Sequence, residues 1–69
     1  MTPKEKAQEL DSRFYELVAD TPDPDWRAKQ GALIAVDEII EIAREAYDEE
    51  MLAAVIIYWS KVKQEIEKL

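Results

Sequence analysis

Few side chains in this chain could do chemistry. It has no histidine and no cysteine, which removes the commonest general base and metal ligand along with thiol nucleophiles, thiolate zinc sites and disulfides. Its two serines, Ser12 and Ser60, fall in the middle of stretches with helical periodicity, and no serine or lysine sits in a nucleophile motif. The single glycine, Gly31, cannot build a phosphate-cradling loop. What remains is carboxylate. Asp37, Glu41 and Glu45 repeat every four residues with Glu38 beside them, so like charges sit one helical turn apart and repel by a few tenths of a kcal/mol each. Such a ridge could ligate a hard cation or mimic a phosphate backbone. A carboxylate metal site in a helical bundle, however, uses inward-facing Glu residues with a Glu-x-x-His partner, and there is no histidine to supply one. The expectation is a solvated acidic face, with no catalytic residue, metal, cofactor or small-molecule substrate.

Charge narrows the partners. The formal net charge is -7. Residues 1–19 hold four acids against three bases, residues 20–50 ten against three, and residues 51–69 two against three. The middle segment therefore carries the whole imbalance, which disfavours nucleic acid and anionic membranes, since both need a cationic face. The longest apolar run, Met51 to Trp59, is too short to span a bilayer. Lys4, Glu5 and Lys6 give the amino terminus no secretory character, so a soluble cytoplasmic protein is expected.

Three helices account for the pattern that must position these groups. With 69 residues the chain holds one modest core. Thr2, Pro3 and Glu5 read as a capping box with proline at the first helical position, opening a helix over about 3–19. Ala7, Leu10, Phe14 and Leu17 form its narrow apolar stripe. Asp20 to Pro24 is the only real punctuation, and Asp23 is placed to cap a second helix over about 24–46. There Leu33, Val36, Ile40, Ala43 and Tyr47 make a seam, which Ala32, Ala35, Ile39, Ile42 and Ala46 widen to about half the circumference. A helix so broad in its apolar face touches two neighbours. Asp48 caps a third helix over about 49–68, where Leu52, Val55, Trp59, Val62, Ile66 and Leu69 repeat at threes and fours.

Short connections make successive helices antiparallel, so the predicted fold is an all-α antiparallel three-helix bundle; the alternative is a helical hairpin that dimerises into a four-helix bundle with the first helix displaced. The shared core predicted is Leu10, Phe14, Leu33, Val36, Ile40, Val55, Trp59, Val62 and Ile66. Gly31, inside the second helix, costs roughly 1 kcal/mol against alanine and is read as a point where the first helix comes close. Neither later helix presents the basic, polar-reader face of a helix-turn-helix.

The first half of the third helix carries more apolar surface than a bundle can bury. Met51, Ala53, Ala54, Ile56, Ile57 and Tyr58 surround the seam, and Trp26 is the loop residue available to cover them. The candidate partner interface is Ala53, Ala54, Ile56, Ile57, Tyr58 and Lys61, with Ile57 nearly opposite the seam and free to meet its own copy in a homodimer. The candidate acidic face is Asp37, Glu38, Glu41 and Glu45.

The stretch ALIAVDEII from Ala32 to Ile40, with Tyr58, Trp59 and the closing VKQEIEKL from Val62 to Leu69, resembles a group of short uncharacterised proteins encoded by bacteriophages and prophages of gut bacteria. The likeness covers about a third of the chain. That group has cysteine where Gly31 stands and varies before it, so the resemblance does not extend to the first helix. It implies no activity. The absent cysteine, tidy caps and regular heptads equally fit a designed or computer-generated relative. The functional expectation is a small non-enzymatic bundle acting by self-association or protein binding. The alternative is an acidic inhibitor, or nucleic-acid mimic, that occupies a basic site on a host protein.

Overall fold

Each helix starts where the local chemistry can satisfy its free amides. The structure is a computed structural model that describes all residues, Met1–Leu69. It contains α1 (Pro3–Val18), α2 (Pro24–Ala46) and α3 (Glu49–Lys68). At the start of α1, Thr2 Oγ1 accepts a hydrogen bond from the Glu5 amide at 3.2 Å, while Glu5 Oε1 accepts one from the Thr2 amide at 2.9 Å. The capping box is complete, and Thr2, through its backbone amide and then its hydroxyl, holds the Glu5 carboxyl below the usual glutamate range. One turn on, the Lys6 ammonium donates to Glu9 at 2.8 Å and lowers the Glu9 carboxyl likewise. Asp48 Oδ1 accepts from the Met51 amide at 3.0 Å and so caps α3 as expected.

Asp23 does not cap α2. It occupies the position before Pro24 but adopts φ 52, ψ 56, and its side chain makes no capping hydrogen bond. Pro24 keeps the residue before it out of the right-handed helical region and favours extended backbone, so the flanking prolines do not by themselves dictate φ 52; aspartate is among the residues that tolerate the left-handed region. A cap needs extended backbone to aim its carboxylate at the first-turn amides, and that geometry is lost here. The loop is tied instead by Arg27 Nε donating to the Pro22 carbonyl at 2.8 Å and by Thr21 Oγ1 donating to the Val18 carbonyl at 2.6 Å.

All three helices pack on one another, as the antiparallel bundle requires, and α1 docks on its own chain. The centre of the core is built from small residues. Ala7, Ala32, Val36, Val62 and Ile66 are fully buried in one cluster, with Ala28 and Ala43 also buried. Leu10, Phe14, Leu33, Ile40, Tyr58 and Trp59 pack around it, half-buried. Of the predicted core, Val55 lies outside this cluster. Leu17 turns outward, 79% exposed, because α1 contacts its neighbours through Ala7, Leu10 and Phe14, and the helix ends one residue after Leu17. Alanine at the centre lets the helix axes approach, and Gly31 does so most closely. A Cβ built on Gly31 would lie 2.6 Å from Cδ1 of Phe14 and 3.0 Å from its Cγ.

The helices are staggered, and this gives the molecule its extents of 42 × 21 × 15 Å. At 1.5 Å per residue α1 spans about 24 Å, α2 about 34 Å and α3 about 30 Å. Tyr58 Oη donates to the Met1 carbonyl at 3.1 Å, so the beginning of α1 is level with the middle of α3. Lys63 pairs with Asp37, and Lys29 Nζ reaches the Glu67 carbonyl, which sets α2 antiparallel to α3. Asp11 shares a surface depression with Asp25, Trp26, Lys29 and Leu69, so α3 ends while α1 still has two turns to run. One end of the bundle is therefore an α1–α2 pair and the other an α2–α3 pair.

Candidate functional site

Helical spacing shows which residues of α2 and α3 lie on the lines that face α1. On α2, Gly31 faces Phe14 of α1. Ile42 follows Gly31 by eleven residues, three turns to within about 20°, so it lies on the same line of the helix. On α3, Tyr58 faces Met1, and Met51 and Ala54 precede it by seven and four residues, again on the same line. α1 begins level with Tyr58, and by equal rise from the Phe14–Gly31 contact its first residue is level with Ile42. Ile42 is 63% exposed and Met51 56% exposed. Ala46 and Ala54 are exposed beside them, with Ile39 and Val55 half-buried between. The result is an exposed apolar strip on α2 and α3 near the start of α1.

The predicted interface residues divide across this geometry. Ala53 and Ala54 are exposed and Ile57 is 57% exposed, one turn before Lys61, which borders the depression holding Thr2, Pro3 and Lys4. At 100° per residue Ala53 lies about 140° and Ile57 about 100° around α3 from Tyr58, so both lie on the outward side of α3. Tyr58 does not belong to a free patch: its ring packs on the core, meets Trp59 edge-on at 5.3 Å between centroids, and its hydroxyl is used by Met1. Ile56 is half-buried and lies seven residues before Lys63, on the line that turns toward Asp37 of α2. Trp26 covers none of this. It is 62% exposed at the opposite end. Ile42 is the residue the sequence missed. Its place in the broad apolar face of α2 was legible, but whether α1 reached far enough to cover it was not. The one available signal was that α1 is a turn or more shorter than its neighbours.

The acidic face divides too. Asp37, Glu38, Glu41 and Glu45 are all exposed, but Asp37 is held by Lys63 at 3.0 Å. Arg44 sits with Glu41 and Glu45 around a shallow depression on the outer side of α2. Glu38 and Glu45 stand one turn before and one turn after Ile42 on α2, and Glu50 stands one turn before Ala54 on α3. None of these three carboxylates takes part in an ion pair within 4.0 Å. No group of three or more His, Cys, Asp or Glu side chains is placed to hold a metal ion, since carboxylates on one outer helix face diverge rather than converge. No helix is long and apolar enough to cross a membrane. Comparison of the chain with protein-family models, curated proteins and solved structures finds no match.

Proposed function

We propose that this protein is a non-enzymatic binding module that meets another protein through the exposed apolar residues of α2 and α3. The observation that carries the reading is that Ile42 and Met51, on the lines of α2 and α3 that face α1, are more than half exposed. Contiguous apolar surface on so small a chain marks a contact site. An acidic mimic acting through the outer face of α2 has less in its favour, because Asp37 is neutralised by Lys63 and Arg44 lies among the remaining acids.

A second reading is favoured by Ile57. It is exposed with Ala53 and Ala54 beside it, and small residues around a large one let the helix of a second copy approach about a two-fold axis. Both readings meet one test. The immobilised chain is used to capture proteins from bacterial lysate at low and high salt, beside an Ile42→Gln, Ile57→Glu variant with unchanged helicity. Light scattering behind a sizing column then measures self-association from micromolar to millimolar loading. A captured protein retained in high salt and lost with the variant supports the binding module, and dimerisation lost with the variant supports the second reading. Equal capture by both proteins, together with a strict monomer throughout, refutes both.

A further inference from the structure

The outward line of α3 is exposed from end to end, and its charge changes sign at Ile57. At 100° per residue Glu50, Ala53, Lys61, Gln64 and Lys68 fall within about 40° of Ile57, and every one of them is exposed. Before Ile57 the end is acidic: Asp48, Glu49 and Glu50 stand there with no base among residues 46–57. Beyond it the end is basic. Lys61 makes no ion pair within 4.0 Å, Lys4 shares its depression, and Met1 lies against Tyr58 one turn earlier. The acids of this end are engaged or set aside, since Lys68 holds Glu65 at 2.8 Å, the capping box holds Glu5, and Glu67 lies about 80° from the line. Lys63 is turned to Asp37, and Arg44 stands with Glu41 and Glu45 on α2. We propose that two copies of this chain pair α3 against α3, antiparallel about a two-fold axis at Ile57, with Lys61 of each copy reaching Glu50 of the other. The proposal rests on the self-association reading above and adds its direction and the residues that select it.

The spacing fits that symmetry. Glu50 precedes Ile57 by seven residues and Lys61 follows it by four, about 10.5 Å and about 6 Å along the axis, and both are turned toward the Tyr58 side of Ile57, by about 20° and about 40°. The two-fold axis reverses direction along the helix and keeps the side. Lys61 of one copy therefore arrives within about 4.5 Å of the level of Glu50 in the other, a gap that two such long side chains span. Lys4 travels with Lys61 to the same acidic end, and Ile57 meets its own image. A parallel pair would instead set Glu50 against Glu50 and Lys61 against Lys61, and charges placed this way decide direction. Two features keep the contact weak. Glu49 and Glu67 of the two copies share the edge away from Tyr58, and each chain carries a net -7. From Glu50 to Gln64 the line is about 21 Å long, which places it among the small interfaces.

The test is sedimentation of the full chain from micromolar to millimolar concentration at low salt, for the parent, Lys61→Glu, Glu50→Lys, the double variant carrying both, and Ile57→Glu, with circular dichroism to check that helicity is unchanged. The parent is expected to dimerise and Ile57→Glu to stay monomeric. Each single reversal should weaken the dimer about tenfold, because it sets like charges together at both symmetry-related contacts. Glu50→Lys should do so although it lowers the net charge that opposes association. The double variant restores opposite charges at both contacts, keeps the net charge and bears whatever each change costs its own helix, so its dimer should return to within about twofold of the parent's. Dimerisation unaltered by either single reversal, or a double variant no better than the singles, would overturn the antiparallel register while leaving self-association through Ile57 standing. A dimer that survives Ile57→Glu would place the contact elsewhere and overturn the proposal. A strict monomer at every concentration would remove the proposal and the self-association reading together, leaving this face of α3 to a different protein or to solvent.

Discussion

Replacing Gly31 with alanine sets two effects against each other in a position where their sizes can be compared. Gly31 is eight residues into α2 and well inside it, so alanine should gain about 1 kcal/mol from helix propensity alone. The new methyl would meet the ring of Phe14 at 2.6 Å from Cδ1, 3.0 Å from Cγ and 3.1 Å from Cε1. Three ring atoms are struck at once, one of them the root of the ring, so a small rotation of its far edge does not clear the contact. The whole ring must swing, or α1 must move off by the better part of 1 Å, and overpacking of this kind typically costs about 1–3 kcal/mol. The clash outweighs the propensity gain, and the expected outcome is a net loss of about 1 kcal/mol, a fall in melting temperature of about 4–8 °C for a domain this small. The assay is thermal and urea unfolding followed by far-UV circular dichroism, on Gly31→Ala, Phe14→Leu and the double variant. In the Phe14→Leu background, where the smaller side chain vacates the contested space, Gly31→Ala should be neutral or stabilising, so the pair should couple strongly. If Gly31→Ala stabilises the parent by the full propensity gain, the argument is refuted, because α1 would not approach α2 at Gly31 at all.

Phe14→Ala should cost about 3 kcal/mol, the low end for such truncations because the ring is half-buried, and that is most of the stability a chain this short possesses; urea unfolding that matches the parent would mean α1 is not docked. Asp48→Ala should cost about 1 kcal/mol by removing a working cap, whereas Asp23→Gly should be neutral or stabilising, since Asp23 has no cap bond to lose and holds a positive φ that glycine adopts freely; equal losses in melting temperature would contradict the assignment. Glu5 and Glu9 have folded pKa values below their unfolded ones, so their contribution is complete above the unfolded glutamate value of about 4.3 and is lost as pH falls through the lowered values. Acid should therefore remove this contribution only below about pH 4, with Glu5→Gln flattening that decline; a parent and a Glu5→Gln variant that lose stability in parallel below about pH 4 would count against it.

Sequence alone determined the local structure of this protein. The capping box at Thr2, the cap at Asp48, the break at Pro22 and Pro24 and the 3.6-residue periodicity each act within a turn or two of the chain, so the three helices could be placed almost to the residue. Asp23 escaped because a residue can be at the capping position without the dihedral angles a cap needs. The core was legible as faces but not as depth. Val36, Val62 and Ile66 could be named, yet the fully buried centre is shared with Ala7, Ala28, Ala32 and Ala43, since burial goes to whatever lies where the axes approach, and small residues are what let them approach. Only the tertiary structure decided the stagger. Periodicity says which way a side chain points around its own helix and nothing about how far along it a neighbour extends. Whether Ile42 and Met51 are covered depends on the axial offset fixed by distant contacts such as Tyr58 with Met1, Phe14 with Gly31 and Lys63 with Asp37.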